Sequence, residues 1–150
     1  MIKKISKNNV RKKQEEGVLT VAGKRKRALA KATIRDGTGS IRINNKPIET
    51  FSFLRRLSLL EPLRIAQDVI KDKLNTFDIS VNVHGGGIES QMEASRLAIA
   101  RALVAITKDA ELKKAYLNYD RYLLVADVRR KETRKPGDSK ARAKRQKSYR

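Results

Sequence analysis

The placement of charge constrains this sequence more than any other feature. Residues 1–35 carry 12 Lys/Arg against two acids, and residues 129–150 carry 11 against two, net charges of +10 and +9. The 93 residues between them, 36–128, hold 13 bases and 12 acids, a net of +1. A near-neutral middle can fold as an ordinary domain, whereas ends of one sign repel themselves and call for a polyanion. At 150 residues and 39% hydrophobic, the chain supports one modest core. No apolar stretch approaches the roughly 18 residues of a membrane span. The absence of cysteine excludes a disulfide framework and any Cys-based zinc site. No apolar run follows Met1-Ile2-Lys3-Lys4, so no secretory signal is expected, and the expected compartment is the cytoplasm.

Three segments follow: a basic N-terminal arm over 1–16, a globular α+β domain over 17–128, and an extended basic tail over 129–150. In the tail, Tyr149 is the one strong apolar residue and Pro136-Gly137 interrupts the run. Such a segment cannot bury enough surface to offset the entropy of ordering and is expected to order on a polyanion.

Within the domain, Arg27, Leu29, Lys31, Thr33 and Arg35 alternate with Ala28, Ala30, Ala32 and Ile34, a strand with one small apolar face and one basic face. Asp36-Gly37-Thr38-Gly39 is a turn signal, and Ile41/Ile43 against Arg42/Asn44 continues the alternation, which predicts a hairpin. Asn44-Asn45-Lys46-Pro47 is a second turn. Leu59, Leu63, Ala66, Ile70 and Leu74 predict a helix, entered either through a capping box at Ser58–Glu61 or with Pro62 as its first residue. Asp78–His84 alternates again, Gly85-Gly86-Gly87 follows, and helices are predicted over Glu89–Thr107 and Ala110–Asn118. Tyr122–Ala126 is apolar without a period and is left unassigned. The order predicts a two-layer α/β sandwich, helices on one sheet face and the other face open.

The open face would carry Arg27, Lys31, Arg35 and Arg42, with Lys24-Arg25-Lys26-Arg27 at its edge, either a solvated surface or a phosphate-binding one. The three glycines before a helix suit an anion, or simply a tight turn; they lack P-loop spacing and do not form GxGxxG. On the long helix Met92, Ser95, Ile99, Ala102, Leu103 and Ile106 form one face, with Leu97 and Val104 nearby, as core packing. Arg96 falls on that apolar side and needs either an anion near the glycine turn or a carboxylate. His84 has no second His or Cys for a metal site. Acids are scattered, so neither catalysis nor a cofactor is predicted.

These residues resemble the small-subunit ribosomal protein S-nine family. Four blocks carry the resemblance: Gly23-Lys24-Arg25-Lys26 leading to Ala28–Ile34; Gly39-Ser40-Ile41-Arg42-Ile43-Asn44; Gly85-Gly86-Gly87 followed by Gln91, Arg96 and Ala100-Arg101-Ala102-Leu103; and the basic terminus. Tyr119-Asp120-Arg121, Leu123-Leu124-Val125-Ala126-Asp127, Lys135-Pro136-Gly137 and Gln146-Lys147-Ser148-Tyr149-Arg150 resemble its archaeal and eukaryotic branch, and the near absence of extensions favours an archaeal source.

The resemblance implies the two-layer fold of the second domain of ribosomal protein S-five, with a left-handed βαβ connection. It also implies a non-enzymatic seat in the head of the small ribosomal subunit, among neighbouring ribosomal proteins and without a membrane or a small-molecule substrate. Expected contacts to ribosomal RNA are Lys24, Arg25, Lys26, Arg27, Lys31, Arg42, Gly85, Gly86, Gly87, Gln91 and Arg96, continued by Arg129, Arg130, Lys131, Arg134, Lys135, Lys140, Arg142, Lys144 and Arg145. Lys147, Ser148, Tyr149 and Arg150 are expected to touch P-site transfer RNA. Two other classes fit the charge or the glycines alone: a free nucleic-acid chaperone or DNA-compacting protein, and a small phosphotransfer enzyme for which the sequence offers neither nucleophile nor base.

Overall fold

The computed structural model describes residues 18–138 and 140–144. Alternation from Leu19 onward builds two long strands, β1 (Leu19–Arg25) and β2 (Ala28–Asp36), paired antiparallel from Leu19↔Ile34 to Arg25↔Ala28. They are joined by Lys26-Arg27, with Lys26 at a φ of +51°. A positive φ at the first turn position suits the right-handed twist of the strands it joins. β3 (Ile41–Ile43) and β4 (Lys46–Pro47) form a short hairpin across Asn44-Asn45, whose φ values of +48° and +63° are a conformation Asn tolerates. β5 (Phe77–His84) completes a five-stranded mixed sheet of order β1-β2-β5-β3-β4.

The hairpin predicted across Asp36–Gly39 does not form. β5 is inserted between β2 and β3, with Ile79 level with Ile34 on its antiparallel side and with Ile41 on its parallel side. The reason lies in Asp78. Its carboxylate accepts the N–H groups of Thr38 and Ser40, each at 2.9 Å, while Gly37 N–H donates to Thr76 O at 2.7 Å. The 37–40 segment is thereby fastened to the incoming β5 instead of folding β3 back on β2. Those hydrogen bonds, from Ser40 first and then Thr38, draw the Asp78 carboxyl below its ordinary range. Asn44 secures the other side of β5, its side chain donating to Val83 O at 3.0 Å and accepting Val83 N–H at 2.8 Å.

Among the described residues, three α-helices accompany the sheet: α1 (Phe53–Ile70), α2 (Ile88–Thr107) and α3 (Ala110–Tyr119). Both starts predicted for α1, at Ser58 and at Pro62, are overturned, since the helix begins at Phe53 with Pro62 inside it. Phe53 and Leu54, 73% and 75% exposed, interrupt the apolar stripe from which a start is read. Pro62 forfeits one helical hydrogen bond. It is buried, and its carbonyl accepts the Tyr116 hydroxyl of α3 at 2.7 Å. Burial also pushes that hydroxyl's pKa upward. Leu74, predicted as helical, sits in the 3-10 segment Lys71–Thr76 after α1 has ended.

The core lies between the sheet and the helices. Ala28, Ala30, Ala32 and Ile34 of β2 and Ile79, Val81 and Val83 of β5 are buried, together with Met92, Ser95, Ile99, Ala102 and Leu103 of α2. Ala94, Leu97, Ala98 and Ala100 are buried too, so α2 is enclosed well beyond its predicted face. Small residues allow this. A Cβ on Gly23 of β1 would stand 2.4 Å from Ala94 O and 2.7 Å from Ala98 N, so the helix backbone lies directly on the strand. With the helices on one side, the architecture is a two-layer α+β sandwich. The unassigned Tyr122–Ala126 begins as the 3-10 turn Arg121–Leu123, with Leu123 fully buried.

Candidate nucleic-acid interface

Strand register decides which cations share a face. Lys24 is level with Leu29 and His84, Lys31 lies between Ala22 and Asn82, and Arg42 is level with Ser80. Period two therefore puts Lys24, Lys31, Arg35 and Arg42 on the side away from the buried Ala and Ile set, and all four are exposed. Arg27 departs from the predicted strand: it sits with Lys26 in the β1–β2 turn, at the end of this face. Asp78, the acid on the same side, is occupied by the 37–40 turn.

The glycine turn packs against that end of the sheet. Gly85 and Gly86 have φ of +77° and +66°, and a Cβ would stand 2.7 Å from Arg27 O and 3.1 Å from Ala28 N respectively. Gly87 has open space around it and is the N-cap of α2, with no side-chain cap. Two of the three glycines thus answer to local geometry; the third begins a helix N-terminus, where negative charge is favoured and Glu89 of the first turn already stands. Gln91 holds the turn, its side-chain amide donating to Gly85 O at 3.1 Å.

Not every predicted contact faces outward. Arg25 is level with buried Ala28, so it points to the helix side, where Nε meets Glu93 Oε2 at 2.5 Å and the guanidinium pairs with Asp127. Arg96 finds carboxylates. Its Nε lies 2.6 Å from Glu61 Oε2, an ionic contact without hydrogen-bond alignment, and Nη2 donates to Asp120 Oδ2 at 3.2 Å. Arg129 shares Asp127, at 2.7 Å. Arg142 donates to Glu132, with Nε–oxygen distances of 3.0 and 2.9 Å, and this pairing lowers the Glu132 pKa and raises that of Arg142. Arg130, Lys131, Arg134, Lys135, Lys140 and Lys144 are exposed along the segment that leaves the domain. Arg145, Lys147, Ser148, Tyr149 and Arg150, like the arm over 1–16, lie outside the described residues.

Sequence reasoning passed over Arg101. Its Nε donates to Leu124 O at 2.8 Å and its Nη1 to Ala22 O at 3.0 Å, tying the 121–124 turn to β1. The available signal was a lone Arg in the alanine-rich stretch Ala100-Arg101-Ala102. A cation in an otherwise buried helix requires a fixed partner. The arrangement gathers Lys24, Lys26, Arg27, the glycine turn and Arg129 toward one end of the sheet; Lys24, Arg25 and Arg129 line a common cleft there. Lys31 and Arg42 stand apart, on strands separated by β5.

A family model described as Ribosomal protein S9/S16 matches residues 23–150. Small ribosomal subunit protein uS9 of Methanococcus maripaludis strain C5 is 46% identical over 136 residues, 89% of this chain and 98% of the relative. The proteins of the same name from strains C7 and DSM 14266 match to the same extent.

Proposed function

This chain belongs to the ribosomal protein S9/S16 family, and we propose that it is a non-enzymatic component of the small ribosomal subunit, seated on ribosomal RNA in the subunit head with its tail reaching P-site transfer RNA. The observation that carries this reading is 46% identity over 89% of the chain to proteins named small ribosomal subunit protein uS9. On the same reading, the β3–α1–β5 crossover is a left-handed βαβ unit like that of the second domain of ribosomal protein S-five, and its parallel β3–β5 pairing supports this.

The geometry supports a division of work. Lys24, Lys26, Arg27, Lys31 and Arg42, with the backbone of Gly85–Gly87, supply a docking face. Arg130, Lys131, Arg134, Lys135, Lys140, Arg142, Lys144 and Arg145 follow a phosphate path outward. Gln91, Arg25, Arg96 and Arg129 contribute through the groups they hold. Contacts of this kind are largely independent of base sequence and weaken as salt rises. Lys147, Ser148, Tyr149 and Arg150 are the residues that meet transfer RNA, with Tyr149 able to stack on a base or sugar.

The protein should co-sediment with small subunits through a moderate salt wash; recovery as free protein would overturn the reading. Deleting Ser148–Arg150 should weaken P-site transfer RNA binding while subunits still assemble. Unchanged transfer RNA affinity would remove the tail from that site.

A further inference from the structure

Arg25 on β1 and Arg96 and Arg101 on α2 each commit one arm of the guanidinium to the segment between α3 and the tail. Arg96 takes Asp120, Arg101 takes the Leu124 carbonyl at 2.8 Å, and Arg25 takes Asp127. The three anchors are spread over Asp120–Asp127. Leu123 between them is fully buried, and the Asp127 side chain is only 9% exposed. One residue further on, Val128 is 87% exposed and the run of cations begins.

We propose that Arg25, Arg96 and Arg101 are positioning residues that clamp the root of the tail against β1 and α2, and so fix the direction in which the cationic segment leaves the domain. The inference rests on the reading above that the tail follows RNA. Its physical basis is geometric. A flexible chain explores a volume that grows with its length from the last fixed point. Fixing that point at Asp127, beside Lys24 and the β1–β2 turn, makes the tail begin where the docking face ends. Each clamp is partly buried, where ion pairs are screened less than on the surface. Two clamps also use planar donor pairs that a lysine could not reproduce. A basic residue inside the Lys24–Arg27 block therefore serves the tail through a carboxylate and not through phosphate.

The absence of native cysteine makes the test direct. Spin labels on Lys113→Cys in α3 and Thr133→Cys in the tail report their distance distribution in the free full-length chain. An iron chelate on Thr133→Cys reports nearby RNA in reconstituted small subunits. With the clamp intact, the distance distribution should be narrower than in the clamp variants and RNA cleavage more focused. Arg25→Met, Arg101→Met and Asp127→Asn should each broaden the distribution and disperse the cleavage. The double variant Arg25→Met/Asp127→Asn should fall short of the sum of the two singles, since both remove the Arg25–Asp127 contact. Arg64→Met, an exposed cation on α1, should change neither readout. Thermal melting of each variant checks that the domain is folded, and Asp127→Asn, altered on the tail side, stands in should a guanidinium variant not fold. Unbroadened distances would overturn the clamp. Broadened distances with unmoved cleavage would overturn its directing role. If unsubstituted tail cleaves no RNA, the underlying functional reading falls, and this inference with it, even where the distances are narrow.

Discussion

The domain and the segment that leaves it use the same residue type in opposite ways. Within 18–128, Arg25, Arg96 and Arg101 are partly buried and each is committed to carboxylates or carbonyls. Beyond 128, Arg130, Lys131, Arg134, Lys135, Lys140 and Lys144 stand exposed. An arginine held by a fixed partner buys orientation, since its planar fork restricts the geometry of whatever it grips. Exposed cations on an extended chain supply attraction that follows the phosphate wherever it runs. Charge alone does not reveal which purpose a residue serves; the partner does.

The sharpest way to break this contrast is to damage the domain and leave the tail intact. Gly23→Val pushes a side chain into the backbone of α2, where a Cβ alone would stand 2.4 Å from Ala94 O, and should cost about 3 kcal/mol by overpacking. Denaturant unfolding measures the loss. Stability within about 0.5 kcal/mol of the parent, the usual range for an innocuous surface change, would mean that α2 does not rest on β1 there.

The converse variant neutralises the tail. Changing Arg130, Lys131, Arg134, Lys135, Lys140 and Lys144 to Gln together should flatten the dependence of log affinity for ribosomal RNA on log salt by about 4, at roughly 0.7 per contact for single-stranded RNA. Melting should be unchanged. A preserved salt dependence would show that the exposed cations are not the ones that grip RNA.

The smallest effect concerns the boundary between β2 and β3. The Asp78 carboxyl titrates lower in the folded chain than its unfolded value of about 3.9. Its contribution is complete above that value and is lost as pH falls through the depressed folded value. Asp78→Asn should therefore melt below the parent at pH 7, with the gap closing in acid. An equal gap at both pH values would show that the carboxylate's charge does not matter to the turn.

Legibility in the sequence divides along the same line. The alternation over Ala28–Ile34 and Ile79–Val83 gave the strands and their buried faces, because period two is a local property. The order of the strands was not readable, since it turns on the side chain of Asp78 reaching back to Thr38 and Ser40. The start of α1 was hidden by the exposed Phe53 and Leu54. The place of Arg96 on the apolar side of α2 signals that it needs a partner, yet its carboxylates come from Glu61 on another helix and Asp120 beyond a third. Arg25 lay within a run of four cations that local reading could not separate. Only the pairing of Arg25 with Ala28 across the turn sorts it to the interior side.

The insertion of β5 between β2 and β3 also dictates a timetable for synthesis. Until His84 has left the ribosome that is making the chain, β2 and β3 both lack the strand that separates them in the finished sheet, and each has an edge that only β5 can pair. Closing a sheet through such distant partners is slow and leaves those edges open to foreign strands meanwhile. The nascent protein should be most vulnerable to mispairing in that interval, and chaperone capture of chains stalled before Phe77 should exceed capture of completed, released chains.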